Sequence, residues 1–384
     1  MKILFLTYHG FEEASGISKK MLAQIKGLRQ NGHEVALCYY GYAEDGSRCR
    51  YVDDQVIVNY GRGKWAAIRQ RLSYSCIYDF CVKNGIELVY ARSFMNASPP
   101  LVRLFRKLKR VGVRTLMEIP TYPYDQEFDS LPLKHRLGLA VDKLYRKQLA
   151  AQVDAIVTFS DADTIFGQRT INISNGVDLD AIPLHEDCCQ PMGELHLIGV
   201  AEVHPWHGFD RLIHGLGEYY KKRKDEGDDS KEVVFHIVGN VGQLEMNGGK
   251  NLPGFADLIK RYGLQEKVIF HGQLFGQQLD GVFRQCSFAV GSLARHRSGI
   301  THIKTLKNRE YACRGIPFVY SECDSDFDDQ PYVLKVPADE TPIDIRSIID
   351  FIDSHQFSPA DIRKTVERLS WKEQMRIVLE QSSK

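Results

Sequence analysis

The 384-residue chain is predicted to fold as an α/β protein with two doubly wound, Rossmann-like domains. In the first half, short apolar runs alternate with longer amphipathic stretches, which is typical of a parallel sheet covered by helices. The same alternation restarts near residue 195, after a stretch without any period. At this length a chain can bury two ordinary hydrophobic cores. These observations together predict two α/β domains.

The first half contains six predicted strands. They are Lys2–Thr7, Glu34–Tyr40, Leu88–Ala91, Arg114–Ile119, Ala155–Phe159 and Thr170–Ile173. Between the first two strands, apolar residues recur at helical spacing from Met21 to Leu28, and the helix is expected to end at Asn31-Gly32. This order predicts a parallel strand–helix–strand unit at the start of an N-terminal domain spanning residues 1–182.

The second half contains five more predicted strands. They are Leu195–Val200, Val233–Val238, Val268–His271, Phe288–Gly291 and Phe318–Tyr320. Residues 183–193 include Pro183 and Pro191 and have no period, which predicts an interdomain linker. The C-terminal domain is therefore expected to span residues 194–369. A last helix, residues 370–384, is expected to pack back on the N-terminal domain.

Composition narrows the function classes. Lys plus Arg number 50 and Asp plus Glu number 49, so the net charge gives no reason to expect nucleic acid as a partner. Nine cysteines without CxxC pairs favour a reduced, cytoplasmic protein. The N-terminus is interpreted as a first strand rather than a signal peptide, and no apolar run is long enough to span a bilayer. Peripheral contact with the inner face of a membrane is left open.

The sequence predicts no metal site. No His, Cys and Asp set has the spacing of a zinc site. Asp324-Ser325-Asp326 looks like the DxD signature of a metal-dependent glycosyltransferase architecture. Because it follows the last predicted strand, it is interpreted as an ordinary acidic turn.

The most informative segment is residues 306–320, a charged helix that continues into a buried strand. Leu306 begins the helix, and Lys307 and Glu310 lie on one face, where a cation can meet a diphosphate and a carboxylate can meet ribose hydroxyls. The basic loop that precedes it begins at Arg295 and concentrates positive charge where a leaving diphosphate would need it. The alternative for this segment is an ordinary surface ion pair before a helix end.

Two other turns are predicted to lie at the same edge of the second sheet. His207 and Arg211 follow its first strand, and Gly239 and Asn240 follow the next. Ligands collect at the carboxyl ends of parallel strands, so these residues are candidates for phosphate binding. The alternatives are a capping or core role for His207, and for Arg211 an ion pair with Asp210 or with another neighbour.

The first half supplies three further candidates. Gly16 opens the first helix, where backbone amides can face an anion, although a tight turn alone also explains a glycine there. Glu118 and Arg92 leave predicted strands at the ligand-binding edge and are candidate catalytic residues; the alternative for Glu118 is a buried structural acid. Neither half has GxGxxG, which disfavours a dinucleotide oxidoreductase, and the missing export signal disfavours a solute-binding protein.

Six stretches carry a family resemblance. They are Gly16-Ile17 and residues 31–35, 153–160, 173–178, 206–213 and 309–317. Together they resemble retaining GT-B glycosyltransferases of the glycosyltransferase-4 type, often involved in bacterial surface-polysaccharide assembly. The resemblance implies two Rossmann-like domains facing across a cleft and a nucleoside-diphosphate sugar, UDP- or GDP-linked, as donor. It implies no required metal or other cofactor.

The resemblance also implies residue roles. Glu310 matches the glutamate that contacts the donor ribose, and Gln273 and Leu274 match a loop near the nucleotide base. The donor is expected to bind the second domain, and a glycan or lipid-linked acceptor the first. Transfer is expected to retain the anomeric configuration.

Three positions depart from the family pattern. The family usually has arginine, lysine and glutamate where this chain has Glu202, His207 and His302. Lys307, with help from His207, Arg211 or Arg295, is the expected replacement for the missing positive charge, and His302 is kept as a candidate donor-binding residue. The departures leave two alternatives open, a catalytically weak or non-catalytic partner of another transferase, and a sugar-nucleotide epimerase.

Overall fold

The computed structural model describes residues 1–8, 10, 16–93, 96–125, 133–185, 193–227, 231–248 and 254–382. Contacts divide the chain into two compact units, one formed by Met1–Gly176 with Leu369–Lys384 and the other by Val177–Arg368. Each unit is built on one largely parallel sheet with helices, so both are Rossmann-like, as the sequence predicted.

The first unit contains a nine-stranded sheet. Its strands are β1 (Lys2–Leu6), β2 (Glu34–Tyr42), β3 (Arg48–Val52), β4 (Gln55–Gly61), β5 (Leu88–Arg92), β6 (Arg114–Ile119), β7 (Ala155–Thr158), β8 (Thr164–Ile165) and β9 (Gln168–Asn172). The spatial order is β4-β3-β2-β1-β5-β6-β7-β9-β8. Strands β3, β4 and β8 pair antiparallel, and the central strands are parallel, with Phe5 opposite Leu37 and Tyr90.

In the described part of the first unit, five helices precede the second unit. They are α1 (Gly16–Gln30), α2 (Gly63–Leu72), α3 (Ser75–Asn84), α4 (Pro99–Arg110) and α5 (Leu133–Ala150). In α4, Leu101, Leu104, Phe105 and Leu108 recur at helical spacing and are buried in the core. This burial fixes which face of α4 packs inward, because apolar side chains leave water most favourably there.

The described residues of the second unit form a six-stranded sheet, in which all strands are parallel. They are β10 (Glu194–Val200), β11 (Glu232–Val238), β12 (Val268–Gly272), β13 (Phe288–Val290), β14 (Phe318–Tyr320) and β15 (Val333–Lys335), in the spatial order β12-β11-β10-β13-β14-β15. The remaining helices are α6 (Phe209–Glu226), α7 (Gln243–Asn247), α8 (Phe255–Tyr262), α9 (Gly276–Phe283), α10 (Leu306–Arg314), α11 (Ile345–Asp353), α12 (Pro359–Thr365) and α13 (Trp371–Ser382). No helix in the described ranges is both long and apolar enough to cross a membrane.

The last helix, α13, packs within the first unit. A Cβ on Gly27 of α1 would lie 2.5 Å from the Trp371 carbonyl oxygen, and one on Gly176 would lie 2.5 Å from the Trp371 ring. Gln374 accepts a hydrogen bond from the Ser174 backbone N–H at 2.8 Å. The two glycines are therefore needed for the close approach of α13.

The boundary between the units lies at Gly176, six residues before the predicted end of the N-terminal domain. Arg363 explains the difference, because its guanidinium donates to the Ile182 carbonyl at 2.8 Å and to the Leu179 carbonyl. The His185 N–H also bonds a second-unit carbonyl. These bonds hold residues 177–185 to the second unit. Most of the predicted linker, residues 186–192, lies outside the described residues.

Three histidines lie side by side on neighbouring strands of the second sheet. His196 Nδ1 lies 2.8 Å from His236 Nε2, and His236 Nδ1 lies 2.9 Å from His271 Nε2. Glu194 lies at the end of the row, with its Oε2 2.7 Å from His196 Nε2. Each such contact needs one donor and one acceptor nitrogen. The neutral row therefore has one consistent set of tautomers, in which every Nε2 carries the hydrogen.

This row of histidines predicts that the protein loses stability at acid pH. Burial, reinforced by the charges of His196 and His271, lowers the pKa of His236 to about 4. The unfolded chain takes up this proton near pH 6.5, so the free energy of unfolding should fall as the pH drops from about 6.5 to about 4. Urea unfolding across this range measures it. His236→Phe should flatten the slope and His355→Ala, at an exposed position, should not; equal slopes in all three proteins would contradict the assignment.

Candidate functional site

The candidate donor residues of the second unit lie on loops that follow β10 to β13 and at the start of α10. Neighbouring loops are bonded to one another. The Val203 N–H donates to the Asn240 carbonyl at 2.8 Å, and the Gly239 N–H donates to the Gly272 carbonyl at 2.7 Å. The loops after β10, β11 and β12 therefore form one continuous edge.

Glycines allow these loops to approach each other. Gly239 has φ 128°, and a Cβ there would lie 1.8 Å from the Ala201 carbonyl oxygen. Gly208 has φ 64°, and its Cβ would lie 2.9 Å from the backbone nitrogen of Ala294, in the loop after β13. Both positions require a residue without a side chain. Asn240 beside Gly239 is exposed at this edge.

Lys307 is a half-buried residue in the first turn of α10, and its side chain ends in a buried nitrogen, Nζ. Its Nζ has no hydrogen-bond partner among the described residues. Burial and the positive charge of Arg295 lower the pKa of Lys307, and the charge of Glu322 opposes this shift. A buried ammonium without a hydrogen bond is expensive, and such groups concentrate at functional sites. The N-cap residue Thr305 makes no side-chain capping bond, so the first backbone N–H groups of α10 add donors beside Lys307.

His207 lies next to this cation. Its Nδ1 accepts a hydrogen bond from the His204 N–H at 2.9 Å, which assigns the ring hydrogen to Nε2. Burial, followed by the charges of Lys307 and Arg295, lowers the pKa of His207 well below its ordinary value. The ring is therefore neutral. The capping role weighed for His207 is present, and it leaves Nε2–H as a donor beside Lys307.

Arg295 lies over an aromatic ring. Its guanidinium carbon is 5.6 Å from the ring centroid of Trp206, which in turn stacks on His204 at 4.3 Å. The Trp206 ring thus supports the second cation of the group, through a cation–π contact. We call Lys307, Arg295 and His207 the cationic centre.

The other two arginines of this edge have structural partners. Arg211 donates to the Thr341 carbonyl at 2.7 Å and to Asp339 at 3.0 Å, and also binds the Leu293 and Pro337 carbonyls. Asp210 is paired not with Arg211 but with Arg297, at 2.8 and 2.9 Å. Because the guanidinium of Arg211 is occupied, we do not carry this residue into the proposed donor site.

Glu310 lies one turn after Lys307 on α10. Its Oε1 accepts two hydrogen bonds from Arg314, at 3.1 and 3.0 Å, and Arg314 is itself paired with Asp280 at 2.8 Å. A surface ion pair between Lys307 and Glu310 is therefore not what the structure contains. Arg314 orients the Glu310 carboxylate, a positioning role that the sequence analysis missed.

Glu322, which follows β14, is a further titratable residue of this site that was not predicted from the sequence. It is 1% exposed, and its Oε2 has no hydrogen-bond partner among the described residues. Burial raises the pKa of Glu322, and the neighbouring charges of Arg295 and Lys307 oppose that rise. The sequence feature that could have identified Glu322 is an acidic residue directly after a core strand. Glu322 adds a titratable carboxyl group beside the cationic centre.

The remaining candidates lie at the edge. His302 is exposed, with Nδ1 3.1 Å from the Thr301 hydroxyl. Leu306 is 39% exposed at the start of α10. Gln273 is exposed and Leu274 half-buried in the loop after β12. The structure connects none of these four side chains to the cationic centre through a bond between described residues.

The acidic turn after β14 has a structural explanation. Arg309 and Asp324 are both fully buried and form two bonds, at 2.5 and 2.9 Å, and Arg309 also binds Asp326. These carboxylates hold α10 to the turn. Across the described residues, no three His, Cys, Asp or Glu side chains are grouped as metal ligands.

In the first unit, Glu118 lies at the centre of a buried network. Its Oε2 accepts hydrogen bonds from Gln24 and Tyr90, both at 2.6 Å, and its Oε1 lies 3.6 Å from Arg92 and 3.7 Å from Lys20. Burial opposes ionisation, but Lys20 and Arg92, with the two hydrogen bonds, lower the pKa of Glu118. This is the structural arrangement weighed as the alternative for Glu118, and its catalytic role stays a prediction.

Gly16, the remaining candidate of the first unit, begins α1 and is exposed. A Cβ there would meet no atom within 4 Å. Residues 11–15, which precede it, lie outside the described residues. Contact between Gly16 and a donor therefore stays a prediction.

No protein-family model matches the chain, and no curated protein matches its sequence. Solved structures do match its fold over the whole chain. Sucrose-phosphate synthase from Thermosynechococcus elongatus aligns with TM-score 0.56 and 15% identity, covering 100% of this chain and 97% of that one. An E. coli protein structure described as trehalose-6-phosphate bound with UDP-2-fluoro glucose aligns with TM-score 0.60 and 11% identity. The alignment covers 100% of this chain and 99% of that one.

A third similar structure is a putative UDP-N-acetylglucosamine 2-epimerase from Listeria monocytogenes, with TM-score 0.52 and 10% identity, covering 100% of this chain and 96% of that one. At these identities the likeness establishes the fold class alone. The two units have the GT-B fold that these structures share.

Proposed function

We propose that the chain is a glycosyltransferase that uses a nucleoside-diphosphate sugar, UDP- or GDP-linked, as its donor. The observation that carries the proposal is the buried ammonium of Lys307, which has no hydrogen-bond partner among the described residues and lies beside Arg295 at the start of α10. A diphosphate would compensate both charges and would also meet the helix N–H groups.

In this proposal the second unit binds the donor along α10. The diphosphate lies on Lys307 and Arg295 and accepts a hydrogen bond from Nε2 of His207. The Glu310 oxygen that Arg314 does not engage accepts from the ribose hydroxyls. Gln273 and Leu274 lie near the base, as the family resemblance implies.

The chemistry proposed is electrostatic. As the bond to the sugar breaks, negative charge grows on the departing diphosphate, and Lys307, Arg295 and the α10 amides stabilise it. The acceptor hydroxyl attacks an oxocarbenium-like carbon with retention of configuration, as the resemblance implies, and its proton passes to the departing diphosphate. Lys307 is the proposed catalytic residue of the second unit. Glu118 and Arg92 are the proposed acceptor-side residues of the first.

The acceptor class is a glycan or a lipid-linked sugar, in bacterial polysaccharide synthesis. This part of the proposal rests on the resemblance of residues 173–178 and 309–317 to glycosyltransferases of surface-polysaccharide assembly. The similar solved structures support the donor class more directly, because one of them holds UDP-2-fluoro glucose. The positive charge that this scheme needs comes from the chain itself.

A panel of nucleotides tests the donor assignment. UDP, GDP, ADP, CMP and their common sugar conjugates would be added to the purified protein and its melting temperature measured. One base should stabilise selectively, by about 2.7 kcal/mol at a ligand concentration of 100 times Kd. Glu310→Gln should weaken this stabilisation, because the ribose loses an ionised acceptor. Stabilisation by no nucleotide would contradict the donor site and favour the non-catalytic partner.

A sugar-nucleotide epimerase is the second candidate, because a putative UDP-N-acetylglucosamine 2-epimerase has the same fold. The two activities differ in their need for an acceptor. An epimerase converts the sugar nucleotide alone, whereas a transferase releases nucleoside diphosphate in proportion to the glycoside formed. Product analysis with and without a glycan acceptor separates them.

A further inference from the structure

Helix α2 of the first unit exposes an apolar stripe. Trp65, Ile68 and Leu72 are 73%, 45% and 56% exposed. Their spacing of three and four residues places them on one face of the helix. Ala66 and Gln70, on the other side, are buried. Three large apolar side chains in one exposed row indicate a surface that a partner covers.

Basic residues lie on α2 itself and on α4, which lines a cavity together with α2. Helix α2 contains three cations and α4 contains five, and neither helix contains an acidic residue; the cations are Lys64, Arg69, Arg71, Arg103, Arg106, Lys107, Lys109 and Arg110. All eight are exposed. Because the whole chain has a net charge of only +1, these two helices concentrate positive charge locally.

A cavity joins the two helices into one surface. Its volume is about 630 Å³, and Ile68 and Leu72 of α2 line it together with Arg103 and Lys107 of α4. The ring of Tyr78 also lines it, with its centroid 5.4 Å from Lys107 Nζ. The cavity therefore combines apolar walls with cations, next to the exposed stripe. We call α2, α4 and this cavity the basic face.

We propose that the basic face docks on an anionic lipid bilayer. Trp65, Ile68 and Leu72 enter the boundary between headgroups and acyl chains, where amphipathic helices with basic flanks bind. The cations of α2 and α4 pair with lipid phosphates, and Arg103 and Lys107 hold a headgroup at the cavity.

Charge favours this occupant over others. In a symmetric pair of copies the same surface meets itself, so the eight cations of one copy would face the eight of the other. A nucleic acid would satisfy the cations but would leave Trp65 and Leu72 against a charged phosphate backbone. An anionic bilayer accommodates both the apolar stripe and the cations.

The basic face contains no residue of the proposed donor site. Docking on a bilayer deepens the proposed function, because it would place the first unit where a lipid-linked acceptor lies. Binding to vesicles is measured without nucleotide. Failure of the basic face therefore leaves the donor assignment standing, and failure of the nucleotide screen leaves the basic face standing.

The experiment is co-sedimentation with phosphatidylcholine vesicles, with and without phosphatidylglycerol. The wild-type protein should bind only the anionic vesicles, and salt should weaken binding. Trp65→Ser combined with Ile68→Ser should lower the partition coefficient about ten-fold or more, because two apolar side chains no longer insert. Both positions are exposed, so the variant should fold. Its far-UV circular dichroism and melting temperature check this.

Leu144→Ser on α5 is the matched control. Leu144 is 66% exposed, but nearby Lys143 and Arg146 are paired with Asp125 at 3.3 and 2.7 Å. The Leu144→Ser variant should bind the anionic vesicles as well as the wild type does. Trp65→Phe should keep binding but lose the blue shift of tryptophan emission.

Three results would overturn the proposal. The first is that the wild-type protein does not bind the anionic vesicles, and the second is that the Leu144→Ser control and the α2 double variant lose vesicle binding equally. The third is that the wild-type protein self-associates and the α2 double variant is a monomer. The last would identify a second copy of the chain as the occupant.

Discussion

Replacing Lys307 by methionine is expected to lower sugar transfer by at least ~30-fold while leaving the folded protein no less stable. Truncating one partner of a buried charge pair costs about 2–5 kcal/mol of binding, which corresponds to this loss when the partner is a diphosphate. Without ligand the ammonium has no hydrogen-bond partner among the described residues, and Arg295 still faces the Glu322 carboxyl group when Lys307 is removed. Methionine therefore removes a desolvation penalty and keeps the volume. Transfer rates and urea unfolding measure the two effects.

Lys364→Met is the control for this variant, because Lys364 is an exposed lysine of α12 in the same unit. Its transfer rate and stability should match those of the wild type. If Lys307→Met retained full transfer, the cationic centre would not be the phosphate site. A large loss of stability would instead show that Lys307 has a structural partner.

Replacing Arg309 by methionine is expected to lower the free energy of unfolding by about 3–5 kcal/mol, the usual cost of leaving a buried carboxylate without its partner. Arg309 and Asp324 are both 0% exposed and form two bonds, and Arg309 also donates to the Thr305 carbonyl at 3.0 Å. These bonds fix the start of α10, so the variant should also weaken nucleotide binding. Urea unfolding measures the main effect.

Arg368→Ala provides the matched comparison, because Arg368 binds the same turn through Asp326 but its side chain is 57% exposed. Exposed ion pairs contribute about 0–1 kcal/mol. A similar loss in both variants would mean that burial does not set the strength of the Arg309 pair.

Most strands could be predicted from the sequence because their apolar runs are buried in a parallel sheet. All eleven predicted strands are present, with no end shifted by more than two residues. The hairpin β3–β4 was missed. Its strands carry Arg48, Arg50 and Asn59 among apolar residues, and the turn contains Asp53 at φ 49°, which is not the glycine that marks most such turns.

The candidate site was only partly predictable. Lys307 and Glu310 could be found because both lie on one helix before a strong helix end. The partners that decide their roles could not, because Arg295 and Glu322 approach Lys307 from distant loops, and Arg314 is held by Asp280, 34 residues away. Sequence spacing gives contacts within an element and says little about contacts between loops.

The departures from the family pattern acquire a physical interpretation. His207 is buried and neutral, and Glu202 and His302 are exposed, so none of the three supplies a positive charge at the cationic centre. Lys307 and Arg295 are the cations present there. In the proposed site the positive charge for the diphosphate therefore comes from α10 and the loop after β13, and the loop after β10 contributes only the neutral donor His207.

The most direct test is a crystal structure with the nucleoside diphosphate that the screen selects. The proposal predicts diphosphate oxygens at about 3 Å from Lys307 Nζ, with Arg295 adjacent and the ribose on Glu310. A nucleotide bound elsewhere, with Lys307 Nζ making no contact to it, would contradict the central claim.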